Sequence, residues 1–311
     1  MGRSRGSSRA APRGRGRETG VGRGAAVTRR QRLRALVAER RGLVVPGAYD
    51  AVSARLVEQA GFPGVYMTGF GVSAARLGLP DLGFAGLSEM VDQARNLAGA
   101  VSIPLIADAD TGYGSALQVR RTVQQYEQAG VAGLHLEDQV APKRCGHLPG
   151  KQVVPADEFV GRIRAAVEAR TDPDLLIIAR TDAIAVTGFD DAVERAAAAA
   201  RAGADVLFVE APTSDAEIEA LPRRLDRPLL FNYAPSGRTP LVPFARLREL
   251  GYGVVILPVD LLFTATRAMQ RALVELRDRD ATPRDRDRLV SFQEFCDLIG
   301  LPEQLRLGQR Y

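Results

Sequence analysis

The stretch Leu105-Ile-Ala-Asp-Ala-Asp-Thr-Gly-Tyr-Gly-Ser-Ala-Leu-Gln-Val-Arg-Arg-Thr-Val-Gln-Gln-Tyr-Glu-Gln-Ala-Gly-Val-Ala-Gly-Leu-His-Leu136 decides the fold class. It opens with an apolar run, Leu105–Ala109, and continues through a glycine-flanked acidic loop into an amphipathic segment, Ala116–Ala129. That segment stops at an Ala-Gly pair, where glycine takes the left-handed conformation cheaply. A second apolar run, Gly133–Leu136, follows. The pattern predicts a strand–helix–strand unit with parallel strands buried on both faces.

The same unit recurs along most of the chain. Apolar, β-branched runs predict eight strands: Leu43–Pro46, Val65–Met67, Leu105–Ala109, Gly133–Leu136, Leu175–Ala179, Val206–Val209, Leu229–Phe231 and Val254–Leu257. The segments between them predict helices at Ala51–Ala60, Leu87–Ala98, Ala116–Ala129, Ala156–Ala169, Asp190–Ala202, Ser214–Leu221 and Pro243–Leu250. Eight units predict an α/β fold of the (β/α)8 TIM barrel type. The alternative is an open doubly wound sheet, but no Gly-x-Gly-x-x-Gly turn follows the first strand.

Helical patterns also flank the repeated units at both ends. A helix should begin near Thr28, which is a plausible cap, and further helices are predicted at Leu261–Arg277 and Val290–Ile299. The C-terminal helices exceed the needs of a minimal barrel, and such extensions often dock on a partner subunit. We therefore expect residues 27–311 to form a single barrel domain with a C-terminal helical extension, in an oligomer.

The charge of the chain is divided unevenly between its first residues and the rest. The formal net charge is +5, yet residues 1–42 hold thirteen arginines and two acids, a local charge of +11, which leaves −6 for the remainder. A basic nucleic-acid-binding body is therefore excluded. Residues 1–26, rich in Arg and Gly, offer little to bury and should be disordered. They are interpreted as a solvated tail or an over-extended start, with a polyanion-binding arm as the alternative.

Composition excludes several other classes of protein. With 46% hydrophobic residues the chain can bury a large core. Two cysteines, Cys145 and Cys296, cannot form a disulfide framework, which fits a reducing cytosol. No uncharged apolar run reaches the roughly 18 residues of a membrane span, and no apolar signal core follows the basic N-terminus. We expect a cytoplasmic protein without membrane or nucleic-acid partners.

Polar and other candidate site residues follow the predicted strands, at the end where barrels of this type carry their active sites. The candidates are Thr68, Gly69, Phe70, Asp81, Asp108, Asp110, Glu137, Arg180, Glu210, Asn232 and Pro258. Acids gathered at one mouth would repel one another without a cation, and carboxylates without clustered Cys or His suit a hard ion such as Mg²⁺. Arg180 would hold an anionic substrate. His135, inside a strand, is as compatible with the core as with catalysis.

The most specific segment is Lys143-Arg-Cys-Gly-His-Leu-Pro-Gly-Lys151. Lys143, Arg144, Lys151 and His147 surround Cys145, and nearby cations favour the reactive thiolate. The glycines and proline predict a mobile loop that closes over a substrate and excludes water. A core cysteine would not lie in so polar a run, so Cys145 is predicted to be functional and Cys296, in a mixed apolar helix, to be filler.

Taken together, these residues resemble the isocitrate lyase / phosphoenolpyruvate mutase superfamily from about Leu43 to the C-terminus. The carrying motifs are Gly78-Leu-Pro-Asp-Leu-Gly83, Asp108-Ala-Asp-Thr-Gly-Tyr-Gly114, Leu136-Glu-Asp-Gln139, Lys143-Arg-Cys-Gly-His147, Ala179-Arg-Thr-Asp182 and Asn232 with Gly237-Arg-Thr-Pro240. The resemblance implies a barrel whose C-terminal helices are swapped between subunits, a homotetramer built as a dimer of such dimers, and Mg²⁺ or Mn²⁺ at the site.

The resemblance also implies roles for individual residues. Cys145 would act as general acid and Tyr66 would take the hydroxyl proton. The metal ligands would be Asp108 and Asp110, directly or through water, with Asp81 and Glu137 near them. Arg180 and His147 would be further catalytic residues, with Arg180 also holding a carboxylate. The substrate contacts would be Thr68, Gly69, Phe70, Glu210 and Asn232, Lys143, Arg144 and Gly146 in the cysteine loop, Ser236 in the strand-seven loop, and Phe208 and Pro258, which are similar to the methylisocitrate lyase pattern.

The implied reaction is cleavage of a carbon–carbon bond next to a 2-oxo acid. The leading prediction is a 2-methylisocitrate-like acid, a 2-alkylisocitrate or alkylmalate, giving pyruvate and a dicarboxylate such as succinate. Carboxyvinyl-carboxyphosphonate phosphorylmutase is a sharp alternative. Against it, this chain has Tyr66 at a position where the pattern that resembles that mutase has histidine. A dialkylmalate or oxaloacetate-cleaving lyase is a third. Thr68, the bulky Phe70 and the loop from Asn232 to Gly237 depart from the methylisocitrate lyase pattern, which leaves the second half of the substrate open.

Overall fold

Eight parallel strands close into a barrel in the part of the chain that the structure describes, residues 1–2, 26–146, 148–235, 237–279 and 289–311. The structure is a computed structural model. The strands are β1 (Leu43–Ala48), β2 (Val65–Met67), β3 (Leu105–Asp108), β4 (Gly133–Glu137), β5 (Leu176–Thr181), β6 (Val206–Val209), β7 (Leu229–Asn232) and β8 (Val254–Leu257). Each strand pairs with the next in sequence, and β8 returns to β1 with Leu43 opposite Val254. The prediction of a (β/α)8 barrel is confirmed.

Helices cover the outside of the barrel between successive strands, and further helices precede β1 and follow β8. They are α1 (Arg29–Ala38), α2 (Ala51–Gln59), α3 (Gly69–Val72), α4 (Leu87–Ala100), α5 (Ala116–Ala129), α6 (Ala156–Ala169), α7 (Phe189–Arg201), α8 (Asp215–Arg224), α9 (Phe244–Leu250), α10 (Asp260–Arg279), α11 (Phe292–Leu298) and α12 (Leu301–Gly308). The apolar faces of the helices between strands pack on the outward faces of the strands and form the larger of two core clusters.

The second core cluster fills the inside of the barrel and is closed at its N-terminal end by α1. Leu33 and Val37 of this helix are 0% and 2% exposed and belong to that inner cluster, which also includes Val45, Ile106 and Ile178. Thr28 caps α1 as predicted, because its side chain accepts a hydrogen bond from the Gln31 N–H. With the bottom closed and packed, the open end of the barrel is the end where the strands finish.

Helix α3 and the turn that continues it were not predicted from the sequence, and neither was α12. Helix α3 begins directly at the end of β2, and Ser73–Leu77 continues it as a π-helical turn. Gly69 and Gly71 lower the helical propensity of this segment. The turn forms because the Thr68 hydroxyl accepts a hydrogen bond from Gly71 N at 3.1 Å. Thr68 is therefore an N-cap as well as a residue of the barrel mouth.

The C-terminal extension consists of α10, α11 and α12. Helix α11 packs against α2 of its own chain, where Arg55 donates a hydrogen bond to the Leu298 carbonyl at 3.2 Å. Large apolar side chains on the extension remain exposed in the single chain: Met269, Leu273, Phe292 and Leu305 among them. Within the described residues, every helix is too short or too polar to cross a bilayer. The predicted tail 1–26 lies outside the described residues except for residues 1, 2 and 26.

Candidate active site

A cavity of about 350 Å³ opens at the carboxyl ends of the barrel strands. Its volume falls in the range of small-molecule sites. The predicted site residues that line it are Tyr66, Thr68, Phe70, Asp81, Asp108, Lys143, Cys145, Gly146, Arg180, Phe208, Glu210, Asn232 and Pro258. Barrel closure brings these together, because the strand ends that carry them meet around one mouth.

The remaining predicted residues lie elsewhere. Those outside the cavity lining are Gly69, Asp110, Glu137 and Arg144, whereas His147 and Ser236 lie outside the described residues. A Cβ atom on Gly69 would come within 2.4 Å of the Asp108 Oδ2, so this glycine allows the close approach of its N–H to that carboxylate at 3.2 Å. The Arg144 guanidinium is turned outward to the Pro149 carbonyl, 3.1 Å away, and contacts no part of the cavity wall.

Tyr66 extends from β2 into the barrel interior, where it meets His135 of β4. Its hydroxyl lies 2.8 Å from His135 Nε2, and the two rings stack with centroids 5.8 Å apart. Burial, followed by the Asp108 charge, raises the pKa of Tyr66 well above its usual value. Burial also lowers the pKa of His135 to about 4. The pair is therefore neutral near neutral pH, and His135, which the sequence left between core and catalysis, supports a predicted catalytic residue.

Asp108, at the end of β3, is held by backbone N–H groups. Its Oδ1 accepts from Asp110 N at 2.9 Å and its Oδ2 accepts from Gly69 N at 3.2 Å. Burial acts to raise its pKa, but the surrounding positive charges and the Asp110 N–H outweigh burial and lower it. Asp108 is thus a fixed, ionised carboxylate on the cavity wall.

Lys143 joins two other acids beneath the cysteine loop. Its Nζ lies 2.6 Å from Asp81 Oδ1 and 2.7 Å from Asp110 Oδ1. Burial opposes the ammonium charge, yet the carboxylates around it raise the pKa of Lys143 well above its ordinary value. Burial raises the pKa of Asp110 to about 6 even with Lys143 beside it. The sequence predicted that the Lys143 charge would act on Cys145. In the structure, Lys143 instead pairs with Asp81 and Asp110, which are two of the four predicted metal ligands.

Arg180 of β5 also lines the cavity and is fixed on three sides. Its Nε donates to Asp182 Oδ2 at 2.9 Å and its Nη2 donates to Asp182 Oδ1 at 3.1 Å. Its Nη1 lies 3.3 Å from Glu137 Oε2, and the guanidinium stacks over the Phe208 ring at 5.0 Å. Phe208 thus acts as a platform for Arg180 at the cavity floor, and an anion entering the cavity meets a preset guanidinium.

The loop that carries Cys145 lies over this wall. Gln139 holds the loop base, since its amide accepts from Arg144 N at 3.0 Å and donates to the Arg144 carbonyl at 2.8 Å. Cys145 N donates to the Asp81 carbonyl at 3.2 Å. A Cβ on Gly146 would lie 2.5 Å from both Arg180 Nη2 and Glu210 Oε1, so only glycine permits this close approach. The thiol is thereby placed on the cavity wall.

Glu210 and Asn232 complete the wall between β6 and β7. Asn232 Nδ2 donates to the two carboxylate oxygens of Glu210 at 3.1 and 3.2 Å. Both side chains line the cavity. They present polar groups to the same space as Arg180 and Gly146, as the strand-end pattern predicted.

The predicted magnesium site is tested by the donors present. Among the described residues, no three acidic, histidine or cysteine side chains converge into a complete metal cage. The described groups nevertheless leave the buried Glu137 Oε1 without a hydrogen-bond partner, and Asp108 is ionised on the cavity wall. Mg²⁺ keeps several waters and takes only one or two direct carboxylates. The residues therefore fit a hydrated divalent cation, which Asp108 would hold with Asp110 and Glu137 near it.

Most of the apolar residues that line the cavity were not predicted from the sequence. Phe70 and Phe263 meet edge to face with centroids 6.0 Å apart. Other lining residues outside the prediction are Pro80, Leu148, Ala234, Pro235, Gly237, Ile256 and Val259. Phe263 lies one turn into α10, just after the last strand, and nothing in the local pattern of that amphipathic helix distinguishes it from the other apolar residues. The cavity therefore has a charged wall and an apolar wall.

The chain is similar in sequence to several known proteins. A sequence family described as phosphoenolpyruvate phosphomutase matches residues 33–277. The chain belongs to the phosphoenolpyruvate mutase / isocitrate lyase superfamily. It is 45% identical to 2,3-dimethylmalate lyase of Eubacterium barkeri, over 90% of this chain and 97% of that one. It is 47% identical to probable 2-methylisocitrate lyase 2 of Corynebacterium glutamicum, over 91% and 92%.

A solved structure supports the same membership. Oxaloacetate acetylhydrolase in complex with the inhibitor 3,3-difluorooxalacetate superposes with a TM-score of 0.87 at 39% identity, covering 91% of this chain and 97% of that one. The protein is a lyase of the superfamily, whose members use a divalent metal ion. Its relatives act on different acids, so membership alone does not name its substrate.

Proposed function

We propose that this superfamily member is a Mg²⁺-dependent lyase that cleaves an alkyl-substituted malate, such as a 2,3-dialkylmalate, into pyruvate and a simple carboxylate. The single observation that carries the proposal is the two-sided cavity. One wall offers Asp108, Arg180 and Glu210, and the other offers the rings of Phe70 and Phe263. A dicarboxylate with alkyl groups at the reacting carbons matches both walls.

The described cations of the cavity support a dicarboxylate over a tricarboxylate. Lys143 and Arg180 are the described cationic residues that line it, and both already contact acidic side chains. A third carboxylate would enter a site whose positive charge is largely neutralised, and its desolvation would be poorly compensated. This is why we place an alkylmalate before the 2-methylisocitrate-like acid that the sequence favoured.

The reaction is a reverse aldol cleavage. The C2 hydroxyl gives its proton to the Tyr66 oxygen while the Tyr66 phenol passes its own proton to Nε2 of the neutral His135, 2.8 Å away; the C2–C3 bond breaks, and C2 becomes the oxo carbon of pyruvate. The electron pair of that bond stays on C3, where Cys145 supplies a proton, so one proton is taken and one is given in each turnover. The metal ion, when bound, supplies positive charge that polarises the oxo acid oxygens.

The residues of this chain provide the placement for those steps. Tyr66 lies on the cavity floor with its hydroxyl directed by His135, and Cys145 lies on the facing loop. Arg180 would hold the carboxylate of the leaving half, because Asp182 and Phe208 fix its plane. The base and the acid thus approach the substrate from different sides of the bond that breaks.

A panel assay tests the proposal. Purified protein with Mg²⁺ should release pyruvate from 2,3-dimethylmalate, measured through lactate dehydrogenase, and a chelator should abolish the release until Mg²⁺ or Mn²⁺ is returned. Cys145→Ser should bind the acid yet release no pyruvate. A higher kcat/KM with 2-methylisocitrate than with 2,3-dimethylmalate would replace the alkylmalate with the second candidate, which the relative from Corynebacterium glutamicum favours.

Two further outcomes would overturn the lyase reaction itself. Phosphorus–carbon bond formation from a carboxyphosphonate, seen by phosphorus NMR without pyruvate release, would favour the mutase alternative. Oxalate release from oxaloacetate would favour the oxaloacetate-cleaving alternative, given the likeness to oxaloacetate acetylhydrolase. We place the enzyme in the cytosol, since Cys145 and Cys296 are not joined in a disulfide, which fits a reducing compartment.

A further inference from the structure

Lysine is used sparingly in this chain. Lys143 and Lys151 are its two lysines, while the other forty basic residues are arginines. Both lysines belong to the cysteine loop, and both are buried, with 5% and 9% exposure. Lys143 lies under the loop between two carboxylates, and the proposed reaction gives Lys151 no part. Because Lys151 is a buried cation with no part in the proposed reaction, its contacts indicate a structural role.

Lys151 connects the loop backbone beside Cys145 to the barrel. Its Nζ donates one short hydrogen bond to the carbonyl of Gly146 and another, of 2.9 Å, to Asp182 Oδ1. Gly146 directly follows Cys145, whereas Asp182 directly follows β5. The ammonium group therefore bridges the backbone beside the thiol and the rigid end of a strand.

Asp182 is a firm anchor for that bridge. It is fully buried, its N–H donates to Asp138 Oδ1 at 2.9 Å, and its two oxygens also accept from Arg180. Burial acts to raise the pKa of Asp182, but Arg180 and Lys151 outweigh it and hold that pKa far below the usual range. The carboxylate is thus a permanent charge shared between the substrate-facing guanidinium and the Lys151 ammonium.

The loop conformation depends on this bridge because the loop backbone passes against charged side chains. The Gly146 Cα packs directly on Arg180 and Glu210, leaving no room even for a methyl group. Without Lys151, the Gly146 carbonyl would lie beside these charged side chains and would have no hydrogen bond to compensate for its lost hydration. A compact ammonium with three donors fits between two fixed acceptors, whereas a planar guanidinium needs more width.

We propose that Lys151 is a latch that holds the Cys145 loop down over the cavity by bridging the Gly146 carbonyl and Asp182. Lys151 is a positioning residue and does not touch the substrate. The proposal rests on the proposed function only in that Cys145 is the proton donor there. The latch ties loop closure to Arg180 through Asp182, so the acid is in place when the carboxylate-binding group is in place.

The test measures the accessibility of the thiol, which requires no substrate. In a Cys296→Ala background, Cys145 is the sole thiol, and its alkylation by iodoacetamide is followed by intact mass at a pH where the thiol is fully ionised. We expect Lys151→Met to speed alkylation by roughly ten- to hundredfold, the loss associated with a charge-assisted hydrogen bond. Lys151→Arg should fall between the two because it restores the charge with a poorer fit.

A matched control distinguishes the latch from general loss of stability. Arg170 also bridges a carbonyl and an aspartate, Leu175 O at 2.9 Å and Asp205 by a short contact, but at the far end of the barrel. Arg170→Met should lower the thermal midpoint without changing the alkylation rate. Lys151→Met should also lower kcat for the acid that the wild type cleaves, while the thermal midpoint moves no more than in Arg170→Met.

The outcomes divide cleanly. If Lys151 acted only by shifting the ionisation of the thiol, Lys151→Met would leave the alkylation rate unchanged at this pH, which would overturn the latch, as would a slower rate. Equal acceleration in Arg170→Met would overturn it too, because the effect would then be one of stability. Faster alkylation of Lys151→Met in a protein that cleaves none of the tested acids would support the latch and contradict the proposed function alone.

Discussion

The Tyr66 hydroxyl lies 2.8 Å from Nε2 of His135, on a floor that the inner core of the barrel supports. His135 Nδ1 has no described hydrogen-bond partner. The described polar contacts of this ring are made by Nε2, with the Tyr66 hydroxyl and with Asp108 Oδ1, which is 3.5 Å away. The imidazole aims the phenol of the proposed base.

The first prediction concerns this pair. His135→Phe should lower kcat about ten- to hundredfold with little change in KM, because the phenol loses the acceptor that directs it. Tyr66→Phe should lower kcat by about 10²- to 10⁴-fold. The double variant should be no slower than Tyr66→Phe, since His135 acts through Tyr66. Steady-state pyruvate release measures all three, and additive losses would contradict the coupling.

The second prediction concerns the apolar wall. Phe263→Ala should raise kcat/KM for 3-ethyl-2-methylmalate relative to 2,3-dimethylmalate by about tenfold, because one methylene in an apolar pocket is worth roughly 10- to 200-fold. Phe70→Ala should act in the same direction. Phe292→Ala, on an exposed phenylalanine of α11, is the control and should leave the ratio unchanged. A preference that stays the same in Phe263→Ala would remove this ring from the specificity wall.

The third prediction concerns the helix that closes the barrel bottom. Leu33→Ala should lower the free energy of unfolding by about 2–5 kcal/mol, because Leu33 is completely buried in the inner cluster. Arg32→Ala, on the exposed side of α1, should change it little. Removing residues 1–26 should leave both stability and turnover as they are, since α1 and its Thr28 cap remain. Urea unfolding and the pyruvate assay measure these effects, and a stable Leu33→Ala protein would show that α1 is dispensable.

The fourth prediction concerns pH and the anchoring of α1. Arg30 Nη1 lies 2.8 Å from Asp172 Oδ2, and that hydrogen bond together with the Asp174 N–H lowers the pKa of Asp172. A lowered folded-state pKa means that the pair adds stability above the unfolded value near pH 4 and loses it as the pH falls further. Asp172→Asn should therefore cost up to about 1 kcal/mol at pH 7 and less near pH 3. In an Arg30→Met background, we expect the pH dependence of this cost to become smaller, because the Asp174 N–H still lowers the pKa of Asp172; an unchanged dependence in urea titrations at both pH values would contradict this pairing.

The fifth prediction concerns assembly. We propose a homotetramer whose C-terminal helices are exchanged between subunits, because apolar side chains such as Ile299, Leu301 and Leu305 are exposed in the single chain. Light scattering should give four copies, and ending the chain at residue 279 should reduce that number. A monomeric full-length protein would contradict the proposal, and an unchanged assembly after truncation would assign the contact to another surface.

Much of the site could be predicted because its residues follow strand ends. Asp108, Arg180, Glu210 and Asn232 each come directly at or after an apolar run, and parallel strands in a closed barrel bring such positions to one mouth. Phe263 could not be found in this way, since it is one apolar residue in a long amphipathic helix. Whether that helix points a ring into the cavity depends on its angle to the barrel, which the local pattern does not contain.

The sequence by itself determined the barrel, the order of its units and the polar character of its mouth, because hydrophobic periodicity and glycine stops are local properties. Tertiary structure alone decided which charges meet. It paired Lys143 with Asp81 and Asp110, turned Arg144 away from the cavity, and joined Lys151 to Gly146 and Asp182. Such pairings depend on distances between strands and loops far apart in the chain, and the energy of a buried charge depends on those distances.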